Sequence, residues 1–208
     1  MRTIVCFSLV CLSLLCLCAA RPAHAANPSQ AMVTLETSVN RILGAIKNPN
    51  YINPATRAPL RQQIEDEVLH IFDFSEFSAR TVGAPWRGFS DNEKKRFSDA
   101  FANLLLITYL NKIDGYNGEQ VIFTGEKASS AGDRVEISSS VTMKDGKKVP
   151  VAYRMMKKDS AWRVYDVIIE GVSLVKTYRT QFQDILHNGN ADALIQRVNQ
   201  KVKELQGA

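Results

Sequence analysis

The apolar period of the chain changes once, after Gly118, from about 3.6 residues to two, and that change limits the folds open to it. Downstream, Val121 and Phe123 make a first short alternation, and Val135, Ile137, Ser139, Val141 and Met143 make a second. Asp145-Gly146 is a hairpin turn signal, after which Val149, Val151, Tyr153 and Met155 return. Asp159-Ser160 then turns the chain into Trp162, Val164, Tyr165, Val167 and Ile169. Turns this short cannot supply the crossover that a parallel pair needs, so the four strands are expected to pair antiparallel.

Upstream the pattern is helical. Ser29 is placed to cap a helix carrying Met32, Leu35, Val39, Ile42, Leu43 and Ile46, which stops at the Asn48-Pro49-Asn50 break. Leu60, Ile64, Val68 and Ile71 define a second helix over residues 58–71. A short helix is predicted from Phe74, closed by a turn containing Gly83, Pro85 and Gly88. Ser90-Asp91-Asn92-Glu93 has the form of a capping box and opens a long helix with Phe97, Phe101, Leu104, Leu105, Thr108 and Tyr109 on one stripe. Two more helices, over residues 173–186 and 191–205, close the chain. The expected class is α+β: helices packed on a four-stranded antiparallel sheet, with the two closing helices over one face.

The first residues bear on compartment. Met1-Arg2 precedes an apolar run from Ile4 to Cys18, and Ala23-His24-Ala25 has the small-x-small form that signal peptidase reads. Residues 1–25 are therefore read as a signal peptide cleaved after Ala25, leaving residues 26–208 as one domain of 183 residues. Cys6, Cys11, Cys16 and Cys18 all fall in this leader, so the mature chain is expected to hold neither a disulfide nor a thiolate site. Val10, Leu15 and Leu17 precede three of them where a lipidation signal needs a small residue, which favours free release. Loss of Arg2 and Arg21 lowers the formal net charge from +5 to +3, far from a nucleic-acid signature.

Reactive chemistry is hard to place. With only His70 and His187 beyond the leader, no metal site and no Cys-His pair is expected. Gly171-Val172-Ser173-Leu174-Val175 begins like a nucleophile elbow but has Val175 where the second glycine belongs, so Ser173 is read as a helix cap. Gly83, Gly88, Gly115 and Gly118 are isolated turn glycines and make no phosphate loop. His70 with Asp73, and Asp166 with Glu170, are the conceivable acid-base pairs; a polar helix edge and partly exposed carboxylates beside Arg163 or Lys176 are the plainer readings. Lys94-Lys95-Arg96, Lys147-Lys148 and Lys157-Lys158 read as solvated charge, with docking to an anionic membrane or acidic partner as the sharper alternative. No catalytic residue is assigned.

Large apolar groups are the feature in excess, and their order carries a resemblance. Trp162 followed by Tyr165-Asp166-Val167-Ile168-Ile169-Glu170-Gly171-Val172-Ser173-Leu174 resembles the "W..YD....EGVS" signature of the MlaC-type, or toluene-tolerance, family of periplasmic phospholipid-binding proteins. Phe72-Asp73-Phe74, Val82-Gly83 and Trp86-Arg87 are similar to that family's "FDF…LG..W" segment. The helix with Phe97, Ala100, Phe101, Leu104, Leu105 and Tyr109 is similar to its "F..AF..LL…Y" helix. Phe77 stands where an aliphatic residue is common, and Val82 replaces a leucine.

The resemblance implies a monomeric periplasmic shuttle with no cofactor and with glycerophospholipid as cargo. It would run between an outer-membrane lipoprotein complex and an inner-membrane ABC transporter complex, in maintenance of outer-membrane lipid asymmetry. It also implies an apolar cavity between sheet and helices. With the periodicity, it points to Phe74, Val82, Trp86, Phe97, Phe101 and Leu105 on one wall and Val151 and Tyr153 on the sheet. Val167, Ile169, Val172, Leu174, Tyr178 and Phe182 would form the adjoining walls. A carrier of another lipid, such as a hopanoid, and a hydrolase or isomerase-like enzyme with a cone-shaped cavity are the alternatives.

Overall fold

The structure is a computed structural model that describes residues 29–113 and 118–207; the leader read at residues 1–25 lies outside them. Helix α1 (Gln30–Ile46) starts where Ser29 Oγ accepts from the Met32 amide at 3.1 Å. Both the amide and the hydroxyl of Ser29 donate to the Glu126 carboxylate, which ties this helix start to the sheet. The expected Asn48-Pro49-Asn50 break contains one further helical turn, α2 (Pro49–Ile52), capped by the Asn48 side chain. Proline at the first helical position sacrifices only an amide that would have had no partner, so it starts this turn as readily as it ends the preceding helix.

Helix α3 (Arg57–Ile71) leads through Phe72 into α4 (Phe74–Val82), and a 3-10 turn (Ala84–Gly88) follows. The predicted capping box opens α5 (Asp91–Ile113): the Ser90 amide donates to Glu93 at 2.7 Å, and the Glu93 amide donates to Ser90 Oγ at 3.3 Å.

The sheet runs β1 (Gln120–Ala128), β2 (Arg134–Thr142), β3 (Lys148–Lys158), β4 (Ala161–Ile169) and β5 (Val172–Ser173), in that spatial order and antiparallel throughout. Five strands thus stand where four were expected. Glu170 and Gly171 both take positive φ, +50° and +82°, and fold the chain back so that Ser173 and Val172 pair with Ile168 and Ile169. A two-residue strand has no period to read. The register brings Val135, Met155 and Val164 into one row on the helix-facing side; Ile137, Tyr153 and Val167 make the next, and Ser139, Val151 and Ile169 the third.

Helices α6 (Leu174–His187) and α7 (Ala191–Gln206) complete the chain. Only the first matches the expected placement: α6 reaches β4, whereas α7 packs chiefly on α5 and α6. Leu194, Ile195, Val198 and Val202 of α7 close over Phe97, Phe101 and Phe182 in an all-helical core. A second core joins α1 to the sheet through Leu35, Ile137, Met155 and Val164. A third joins α1, α2, α3 and α5 around Tyr51, Ile64 and Leu110. Among the described residues, no helix is long and apolar enough to cross a membrane.

Candidate functional site: an apolar pocket between sheet and helices

Two buried aspartates fix the elements around the space between these cores. Asp73 accepts from the Glu76 amide at 2.9 Å, capping α4, and from Lys158 Nζ at 2.7 Å, while its own amide donates to the Val164 carbonyl on β4. The bond from Lys158 to the Asp73 carboxylate raises the lysine's pKa, so the ammonium group keeps its proton over the neutral range. Asp166, 2% exposed on β4, accepts from Ser173 Oγ at 2.7 Å, from the Val175 amide at 3.0 Å and from Arg154 Nη1 at 3.3 Å. Ser173 Oγ in turn accepts from the Lys176 amide, as its reading as a cap requires. The Tyr-Asp and Glu-Gly-Val-Ser parts of the signature are therefore two ends of one clamp, which aims α6 off the edge of the sheet.

The two clamps frame a pocket of about 290 Å³. Val151 and Tyr153 of β3 and Val167 and Ile169 of β4 form its sheet wall. Val68, Phe72, Phe74 and Phe77 come from the α3–α4 corner, Leu105, Leu106, Tyr109 and Leu110 from α5, and Leu174 from the head of α6. Among the described residues no charged side chain lines it, and the only polar side-chain groups are the hydroxyls of Tyr109 and Tyr153. Burial pushes both phenols up, with a hydrogen bond to Ser139 partly offsetting the effect at Tyr153; both side chains are neutral near pH 7. A hydrocarbon chain entering such a space would displace no strongly held polar partner.

The aromatic residues of this lining are packed against one another and against the helical core. Phe72 stacks on Phe74 at 5.5 Å between ring centroids, and Phe77 meets Phe101 edge-on at 5.5 Å. Of the residues read from the sequence, Phe74, Leu105, Val151, Tyr153, Val167, Ile169 and Leu174 line the pocket. Val82, Phe97 and Phe101 are fully buried in the helical core, with Trp86 packed against it. Tyr178 and Phe182, together with Leu174, line a separate groove between α5, α6 and α7. Val172 is 58% exposed on the edge strand.

Val68, Phe72, Phe77, Leu106, Tyr109 and Leu110 line the pocket without having been assigned to it. The signal for the α5 members was the unbroken Leu104-Leu105-Leu106-Ile107 run, because a helix apolar on every side has partners on more than one side.

Acid-base candidates are employed elsewhere. His70 is exposed, Asp73 and Asp166 are held in their clamps, and none of the three lines the apolar pocket. Asp166 is buried rather than partly exposed, and the ion pair it makes is with Arg154, on the neighbouring strand, rather than with Arg163 or Lys176. Glu170 sits in the turn after β4 and pairs with Lys147 at 3.2 Å.

An α+β fold with an apolar, aromatic-backed pocket between sheet and helices marks the class of protein that houses an apolar ligand. The family model described as "MlaC protein" matches residues 36–200, and the chain belongs to that family. It is 31% identical over 99 residues to the toluene tolerance protein ttg2D of Pseudomonas putida, a match spanning 47% of this chain and 46% of that relative. It is 21% identical over 161 residues to the intermembrane phospholipid transport system binding protein MlaC of Haemophilus influenzae, covering 76% and 72% of the two chains. A phospholipid-binding protein from Ralstonia solanacearum, solved with a phospholipid bound, shares the fold with a TM-score of 0.77 at 24% identity. That superposition covers 86% of this chain and 99% of the other.

Proposed function

We propose that the protein is a carrier that binds a glycerophospholipid through its acyl chains and moves it across an aqueous gap. The pocket lining carries this reading: thirteen residues from sheet and helices, with no charged side chain among them, enclose about 290 Å³. Relatives named for intermembrane phospholipid transport and for phospholipid binding support it. Exposing each methylene to water costs about 0.8 kcal/mol, so two chains of about 30 methylenes in all face a barrier on the order of 20 kcal/mol. A protein that covers the chains removes most of that barrier. It acts by equilibrium binding, and any directional work comes from its partners.

The finer reading is a single lipid-binding domain, released into the periplasm after leader cleavage. There it exchanges cargo with an outer-membrane lipoprotein complex and an inner-membrane ABC transporter complex, as a non-enzymatic monomer.

A vesicle-to-vesicle assay tests the carrier function. Donor vesicles holding a fluorescent phosphatidylethanolamine are mixed with the mature protein and acceptor vesicles, and the lipid is recovered and checked by mass spectrometry. The expected outcome is protein-dependent transfer of intact lipid. Absence of transfer together with absence of bound lipid refutes carriage, and recovery of hydrolysed lipid replaces it with an enzymatic function.

A further inference from the structure

The outer face of α6, the end of α4 and the 3-10 turn that follows it meet in one surface patch. Arg179 of α6 donates through Nε and Nη2 to the Arg80 carbonyl in the last turn of α4, the first bond at 2.9 Å. Its Nε lies 3.8 Å from where a Cβ on Gly83 would stand, so α6 reaches the start of the turn Ala84–Gly88. Arg87 is four residues past Gly83, about 8 Å at the rise of a 3-10 helix. Lys176 precedes Arg179 by three residues and shares its side of α6. Arg87, Lys176 and Arg179 are all exposed.

The carboxylates nearby are held by other groups. Glu76 meets Arg80 Nη2 at 2.6 Å, and the Arg80 guanidinium lies 4.2 Å over the Tyr165 ring, so this fourth cation is engaged. Past the turn, Asp91 pairs with Lys94 at 3.7 Å, and Glu93 accepts from the amide and hydroxyl of Ser90. Arg87, Lys176 and Arg179 make no ion pair among the described residues. Three unpaired cations on one patch equal the whole formal net charge of +3 read for residues 26–208.

Apolar groups border the patch. Val172, 58% exposed, stands four residues before Lys176. Trp86, beside Arg87, is half-buried on Phe89 and Phe97 at 5.6 and 6.1 Å between ring centroids, while its indole N–H has no acceptor among the described residues. A ring packed on one side and wet at its N–H suits the boundary between hydrocarbon and headgroups. Leu174, between Val172 and Lys176, lines the cargo pocket.

We propose that this patch rests on an anionic phospholipid bilayer, with Arg87, Lys176 and Arg179 at the phosphates and Val172 and Trp86 at the headgroup boundary. Flexible cations spread over about 15 Å, with no free carboxylate among them, suit a surface of uniform negative charge better than a protein epitope, where charges are matched pair by pair. The carrier reading gives the patch its use, because it brings the pocket wall close to the membrane that yields or receives the cargo.

Vesicle flotation with the mature protein tests the docking. Each cation near an anionic surface contributes a factor of about five, so three give on the order of a hundredfold. Phosphatidylglycerol vesicles are expected to bind about that much more tightly than phosphatidylcholine vesicles, with the difference shrinking as salt rises. Arg87→Glu with Lys176→Glu is expected to reduce binding to phosphatidylglycerol vesicles at least tenfold, and an acid at position 176 suits the start of α6. Lys127→Glu with Lys157→Glu makes the same change of net charge on exposed sheet positions and is expected to cost less than threefold. Equal binding to both kinds of vesicle, binding to neither, or equal losses in the two variants each overturn the docking. Phospholipid extracted from the same preparations reports on carriage separately. Its retention where vesicle binding fails leaves the carrier standing, and its absence refutes the carrier whatever the vesicles show.

Discussion

At the scale of single residues, Asp166 shows how a buried charge becomes useful. Its carboxylate accepts three hydrogen bonds at once, from a side-chain hydroxyl, a backbone amide and a guanidinium. Asp166→Ala leaves the Ser173 hydroxyl and the Val175 amide without acceptors and is expected to cost about 3 kcal/mol in a denaturant titration, with Asp166→Asn losing less.

Tyr178 gives a pH signature. Burial, then the nearby Tyr109 phenol, pushes its pKa up to about 12, with a hydrogen bond to Thr108 opposing the shift. The folded protein holds this proton more tightly than the unfolded chain, whose tyrosines ionise near pH 10. The resulting stabilisation is therefore complete below pH 10 and lost as pH rises from about 10 to 12. Tyr178→Phe is expected to flatten that alkaline limb in unfolding curves recorded side by side with the unaltered protein.

Legibility at this scale was uneven. The caps at Ser29, Ser90 and Ser173 are local motifs and could be read directly. The partner of Asp166 could not, because Arg154 becomes its neighbour only through the β3–β4 register.

Among the elements, the junction between β4 and α6 does most to position the site. Glu170 and Gly171 reverse the chain in the left-handed region, β5 pairs back for two residues, and α6 leaves with Leu174 at the pocket wall. No atom crowds a Cβ built on Gly171, so Gly171→Ala tests backbone strain alone. It is expected to destabilise by about 1 kcal/mol without altering which lipid is bound, as read by thermal unfolding and extraction.

The strands, their turns and the helix starts were legible because each is written in local periodicity and turn chemistry. The packing of α5 was not. A one-stripe reading put Phe97, Phe101 and Leu105 on a common wall, yet Phe97 and Phe101 face the helical core while Leu105, Leu106, Tyr109 and Leu110 reach the pocket. A helix with two apolar faces gives no sign of which face meets the protein's own side chains and which meets a cavity. The position of α7 was hidden for the same reason: its apolar stripe fits a sheet or a helix equally well, and it found α5.

For the molecule as a whole, the separation of filled core from open pocket makes distinct demands on substitution. Phe101 is fully buried between Phe77, Phe97, Tyr178 and Phe182, so Phe101→Ala opens a cavity in packed structure and is expected to cost about 3–5 kcal/mol. Val151 faces space. Val151→Trp should occupy that space at little cost in stability, and in doing so exclude the ligand. The most direct measurement is the amount of phospholipid extracted by organic solvent per mole of purified protein, in the unaltered chain and in Val151→Trp, with folding verified by circular dichroism. Close to one equivalent in the first and a severalfold loss in a folded Val151→Trp is the expected result; no phospholipid in the unaltered protein, or full occupancy in the variant, would contradict a pocket that holds acyl chains.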